Sequence, residues 1–162
     1  LGPLTNPAGA RRQVIGVFSP IWQHRLAEVL NLLGAEHVLV VHSSGLDEIA
    51  LDGPSFVVEL KRGEISEFEI APEDFGVQTQ RCDELRADSP ASSLTLIKRS
   101  LNEPDSAAAD IVSLNAGAAI YTAGIATSLQ NGVAMAQDAI ATGLADERLK
   151  ELVRISNLMA EA

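Results

Sequence analysis

Four consecutive apolar side chains, Val38-Leu39-Val40-Val41, stand between His37 and His42. Successive residues of a strand point to opposite faces, so a half-exposed strand would put two of these four in water. The run therefore asks for a strand covered on both faces, the condition of a sheet with helices on each side. The residues before it agree. Residues 13–18 are short and β-branched and read as a strand. Ser19-Pro20 supplies an N-cap followed by proline at the first helical position. Trp22, Leu26, Val29 and Leu33 then recur at spacings of 4, 3 and 4, one apolar helix face assigned to the core. Gly34 permits the left-handed residue that ends such a helix. Strand, helix and strand within about 30 residues make a βαβ unit. The expected class is α/β, a mainly parallel central sheet flanked by helices.

The remaining chain divides simply. Residues 1–12 read as loop, with prolines, glycines and Asn6-Pro7. Residues 56–60 and 65–70 read as two strands around Lys61-Arg62-Gly63-Glu64, the second with imperfect alternation. Residues 71–93 are polar and loop-like, with a weak helical signal at 81–86. Helices are expected over 91–101, 106–121, 129–142 and 145–158, so the carboxyl-terminal third is helical. Gly117 lies inside an alanine-rich helix, where it lets another element pack closely. There is no repeat, low-complexity tract or linker, and one domain, or part of one, is the economical reading.

Charge and motif content narrow the function. A net charge of −10 repels a phosphate backbone, so no nucleic acid partner is expected. A local cation or bound metal still allows a small phosphorylated ligand. No apolar run approaches the roughly 20 residues of a spanning helix, so no membrane partner is expected. Cys82 is the only cysteine, compatible with a reducing cytoplasm. Neither a nucleophile elbow nor a cysteine–histidine zinc pattern is present, and no side chain is singled out as catalytic. The notable stretch is Ser43-Ser44-Gly45-Leu46-Asp47-Glu48, a loop at the carboxyl end of the apolar strand, where ligands of open α/β sheets collect. Asp47 and Glu48 are adjacent carboxylates of the kind that ligate magnesium, a hard cation that takes one or two carboxylates plus phosphate and water. By spacing alone two solvated acids are the commoner outcome. His42 reads as a satisfied strand-end histidine, His24 as helix surface and His37 as a strand start. Lys61-Arg62 reads as charged turn. Arg11 and Arg12 either face an anionic substrate or are a solvated pair.

Leu1-Gly2-Pro3-Leu4-Thr5-Asn6-Pro7 resembles a signature of the anthranilate phosphoribosyltransferase family, and Gly45-Leu46-Asp47-Glu48 a second at the matching distance. Asp74-Phe75-Gly76 and Leu114-Asn115-Ala116 resemble shorter family positions. The resemblance implies a nucleoside phosphorylase/phosphoribosyltransferase-like fold, with residues 1–162 forming the carboxyl-terminal part of the large α/β catalytic domain. It implies transfer of the phosphoribosyl group from phosphoribosyl pyrophosphate to anthranilate in tryptophan biosynthesis. Mg2+ would be held by Asp47 and Glu48, and Ala8 would lie on an anthranilate-side loop. The family's amino-terminal helical domain, through which a homodimer forms, its glycine-rich pyrophosphate loop and its anthranilate-binding arginine have no counterpart in this sequence, so residues 1–162 alone should be inactive. The competing readings are a pyrimidine nucleoside phosphorylase of the same fold and a non-catalytic binding paralogue.

Overall fold

The computed structural model describes residues 2–43 and 45–160; Leu1 of the first signature and Ser44 of the carboxylate loop lie outside the described residues. A short 3-10 turn over Gly2–Thr5 leads to β1 (Arg12–Gly16), α1 (Gln23–Leu32), β2 (His37–Ser43), β3 (Ser55–Lys61) and β4 (Glu64–Ile70). Four helices follow: α2 (Pro90–Asn102), α3 (Ala107–Thr122), α4 (Leu129–Ala141) and α5 (Leu144–Ala160). The helical carboxyl-terminal third is as expected. Ser89, Ser106 and Ser128 start α2, α3 and α4, each accepting a hydrogen bond from the backbone N–H three residues on.

The strands form one sheet in the order β1-β2-β3-β4. The α/β class and the flanking helices hold, but the direction of the strands corrects the expectation of a mainly parallel sheet. Within the described residues β1 and β2 are parallel, while β2–β3 and β3–β4 are antiparallel. The physical reason was already in the turn lengths. Only Arg62-Gly63 separates Lys61 from its cross-strand partner Glu64, and a two-residue connection can join only antiparallel neighbours.

The apolar run behaves as its pattern requires. Val38 and Val40 face one cluster, with Ala27 and Leu30 of α1. Leu39 and Val41 face another, with Leu114 and Ala118 of α3 and Leu129 and Val133 of α4. All four are at most 1% exposed, and each such burial contributes about 1.5–3 kcal/mol. Helices α3 and α4 cross with almost nothing between them. A Cβ on Gly117 would lie 2.5 Å from the Val133 Cα, and one on Gly132 only 2.3 Å from the Gly117 carbonyl oxygen. The close approach expected of Gly117 is therefore present, and α4 is the partner.

The face assigned to α1 is corrected in part: Leu26 packs against the core, but the other three assigned residues do not form the buried face. Its buried residues are Gln23, Ala27 and Leu30, whereas Trp22, Val29 and Leu33 are 39%, 39% and 61% exposed. Residue size misled the pattern: α1 sits close to the sheet, and Ala27, wholly buried, fits where a larger group would not. Gln23 is buried because its Nε2 donates to the Val40 and Phe56 carbonyl oxygens at 2.8 and 2.7 Å. Ser19 makes no side-chain cap, since Pro20–Trp22 form a 3-10 turn before α1 begins. Among the described residues no helix is long and apolar enough to cross a membrane.

Candidate metal and diphosphate site

Beyond Ser43 the chain turns sharply and its backbone is fastened from several sides. Ser43, fully buried, exchanges backbone hydrogen bonds with Leu46 at 3.0 and 3.3 Å, and its Oγ donates to the Glu48 carbonyl oxygen at 2.9 Å. Asn115 of α3 then holds the next residue with both ends of its amide. Its Oδ1 accepts from the Ile49 N–H at 3.0 Å, and its Nδ2 donates to the Ile49 carbonyl oxygen at 2.9 Å. The Ala50 N–H donates to Ser55 Oγ at 3.1 Å. Beneath the loop lies Gly16, the last residue of β1. A Cβ there would fall 1.5 Å from the Asp47 carbonyl oxygen, so only glycine lets the loop rest on the strand end. His42 accounts for itself as expected, its Nδ1 bonded to the Val17 carbonyl oxygen at 2.7 Å.

The clamped stretch presents Asp47 and Glu48 outward, both exposed. They line a cavity of about 540 Å3 together with Asp52 and, from the loop before α2, Arg81 and Arg86. Arg81 is paired with Asp83 at 2.6 Å; Arg86 makes no ion pair with any described residue. One wall thus offers carboxylate oxygens, and the same cavity carries two guanidiniums, the groups that bind phosphate oxygens in a fork. Oxygen donors of this kind suit a hard dication. Among the described residues no group of three or more acids, histidines or cysteines is placed to hold a metal.

Sequence reasoning singled out the carboxylates but assigned no role to their supports, Asn115 being noted only within a short family-like stretch. Gly16 and Asn115 act through distance and angle, which spacing along the chain does not reveal. Arg81 and Arg86 bound a stretch read as polar loop with a weak helical signal and given no functional role; two arginines five apart in so acidic a chain were the available signal. Arg11 and Arg12 lie at the opposite end of the sheet and do not join the site. Both pair with Glu36, at 2.9 and 3.3 Å, and Arg12 Nη1 donates to the Ala123 carbonyl oxygen at 2.9 Å. Ala8 does not line the carboxylate cavity either. It is exposed in a turn, its N–H donating to Asn6 Oδ1 at 2.9 Å. Asn6 and Pro7 beside it line a separate groove along β1 that ends at Gly16.

A family model described as "Glycosyl transferase family, a/b domain" matches residues 1–146. The chain belongs to this family. Among its relatives, the anthranilate phosphoribosyltransferase of Ectopseudomonas mendocina is 54% identical over 161 residues, covering 96% of this chain and 46% of that protein. That of Pseudomonas syringae pv. tomato is 55% identical over 157 residues, 94% of this chain and 45% of the other. The crystal structure of anthranilate phosphoribosyltransferase from Thermus thermophilus superposes with a TM-score of 0.86 at 42% identity, covering 94% of this chain and 45% of that one. The Saccharomyces cerevisiae enzyme, solved in complex with PRPP and Mg, shares the fold at a TM-score of 0.79 and 21% identity, over 93% and 44% of the two chains. The chain therefore spans about half the length of the relatives it matches.

Proposed function

We infer that this chain is the carboxyl-terminal part of an anthranilate phosphoribosyltransferase and carries its magnesium site. In the complete protein the amino nitrogen of anthranilate would attack C1 of phosphoribosyl pyrophosphate. The C1–O bond breaks, its electron pair leaves on pyrophosphate, and the nitrogen loses a proton to solvent. The observation that carries this reading is the Asp47-Glu48 pair, clamped at the carboxyl end of a buried strand in a chain 50–55% identical to proteins of that name. Magnesium, when bound, would neutralise the charge developing on the departing diphosphate. Asp47 and Glu48 would supply its protein ligands, and Arg86 would meet a phosphate oxygen. Ser43, Asn115 and Gly16 hold the pair in place before substrate arrives, which removes reorganisation from the reaction. Ala8 is assigned to the acceptor side, next to Asn6 and Pro7 of the groove that reaches Gly16.

The rest of the site, and the dimer contact, would belong to an amino-terminal part outside this chain. Helix α5 leaves apolar side chains that such a part could cover. None of its described residues is buried, and Leu152, Val153, Leu158 and Met159 are all more than half exposed. A cytoplasmic setting suits both substrates. Tryptophan biosynthesis is the pathway this reaction would serve.

The test is a magnesium titration of the steady-state rate in the full-length enzyme and its Asp47→Ala/Glu48→Ala variant. The variant should stay folded, since exposed loop substitutions usually change stability by about 0.5 kcal/mol. It should need far more magnesium or lose rate at saturation; coincident curves would remove the pair from the site. Residues 1–162 by themselves should give no turnover, and phosphoribosyl transfer by this piece alone would refute the division of the site.

A further inference from the structure

A second cavity, of about 600 Å3, opens at the other end of the sheet, within the roughly 300–1,000 Å3 range of small-molecule sites. Strand β2 connects the two: His37 at its start lines this cavity, and Ser43 at its end anchors the carboxylate loop. At about 3.3 Å per residue the separation is roughly 20 Å, so this is not an extension of the proposed active site. Arg12, Lys61 and Arg62 contribute three cations to its lining and Glu36 a single acid. On a chain of net charge −10 that is a local reversal of sign.

The nearby acids are already engaged. Glu36 pairs with Arg11 and Arg12. Glu59, 13% exposed, accepts from Tyr121 Oη at 2.8 Å and lies 2.7 Å from His37 Nε2. Burial pushes the Tyr121 hydroxyl above its ordinary pKa, so it stays a donor. Lys61 Nζ donates one hydrogen bond, to Tyr121 Oη at 2.8 Å, and sits 4.5 Å from the centre of that ring and 4.0 Å from Glu59 Oε1. An ammonium has three N–H donors, which leaves two for the cavity. Arg62 makes no ion pair or side-chain hydrogen bond with any described residue. Its backbone is also the one non-glycine left-handed position among them, with φ +54°. The first place of this two-residue turn suits glycine or asparagine, and a residue with a larger side chain there is strained. An arginine held in that strained place, its N–H donating to the Glu36 carbonyl oxygen but its guanidinium meeting no described residue, points to a partner for the side chain outside the fold.

We propose that this cavity binds a small organic anion, a carboxylate or a phosphate, between the Lys61 ammonium and the Arg62 guanidinium. Tyr121 and His37 form its floor, and Arg12 is held back from the ligand by Glu36 and the carbonyl oxygens at the end of α3.

The experiment is calorimetric titration of the full-length protein with inorganic phosphate and, separately, with succinate, in EDTA so that metal-bridged anions do not contribute. Wild type is compared with Arg62→Gly, Lys61→Gln and the double variant. Glycine accepts φ +54° without strain and glutamine keeps a donor toward Tyr121, so the fold is retained. Wild type should bind at least one of the two anions at or below about 1 mM, each single variant should weaken that binding about tenfold, and the double variant should lose it. Turnover without added anion should be the same in all four proteins. Preference for phosphate identifies a phosphoryl ligand and preference for succinate a carboxylate; either supports the site. Equal affinity and stoichiometry in wild type and double variant, or no binding of either anion by wild type, would overturn it.

Discussion

Replacing Gly16 by alanine tests how the carboxylate loop is held. A Cβ at that position would lie 1.5 Å from the Asp47 carbonyl oxygen and 2.5 Å from its carbonyl carbon. A relaxed contact needs about 3.4 Å, so loop and strand end must separate by roughly 2 Å. Gly16 is not left-handed, so alanine brings no backbone strain and the effect is purely steric. Ser43 and Asn115 grip the loop on either side, and the shift would spread through those hydrogen bonds at about 1–3 kcal/mol of overpacking. Misplacement by about 1 Å can cost 100-fold in rate, so Gly16→Ala in the full-length enzyme should lose at least about 100-fold in kcat/KM for phosphoribosyl pyrophosphate. The apparent magnesium requirement should rise with it, while circular dichroism still reports folded protein. Gly53→Ala is the matched control. Nothing lies within 4 Å of a Cβ there, and it should behave as wild type. A Gly16→Ala enzyme with rate and magnesium dependence within about twofold of wild type would refute the claim that this contact positions Asp47.

Other substitutions separate scaffold from site. Asn115→Leu leaves the Ile49 N–H and carbonyl without partners, at about 1–3 kcal/mol each. Chemical denaturation should show that loss, and magnesium affinity should fall beyond what the lost stability explains. Gly117→Leu should destabilise by more than about 3 kcal/mol, because the α3–α4 crossing has no room even for a Cβ; a melting temperature within a degree or two of wild type would contradict the packing described. Asp110 has its pKa raised, first by burial, against a hydrogen bond from Gln80 Nε2 at 2.7 Å. Its charged form is thus the disfavoured one in the folded state, and stability is lost as pH climbs from the ordinary carboxylate value through the raised one. Asp110→Asn should therefore be the more stable protein at neutral pH, by less than about 1 kcal/mol given solvent screening. That advantage should vanish below the ordinary carboxylate range, and an unchanged difference across pH would show burial is not the cause.

Along this chain, information of one dimension settled what depends on neighbours in sequence. Val38 to Val41 required cover on both faces, and α1 and α3 with α4 provide it. Ser106 and Gly117 marked a helix start and a close crossing before any contact was visible. The short Lys61–Glu64 connection specified an antiparallel pair, and the Asp47-Glu48 pair stood out by charge and by family signature. Other properties depend on distances that sequence does not encode. Which face of α1 meets the sheet was decided by fit: Ala27 and Gln23 pack where Trp22 and Leu33 do not. The residues that fasten the carboxylate loop, Gly16 from β1 and Asn115 from α3, lie 31 and 67 positions from Asp47 and Glu48 respectively. They come together only because the sheet sets β1 beside β2 and the core seats α3 on top of both. Arg62 shows the same division. Its turn was legible in two residues, but its left-handed backbone and the absence of any partner for its side chain among the described residues are facts of the folded chain, because conformation and pairing are set by what tertiary packing brings within reach.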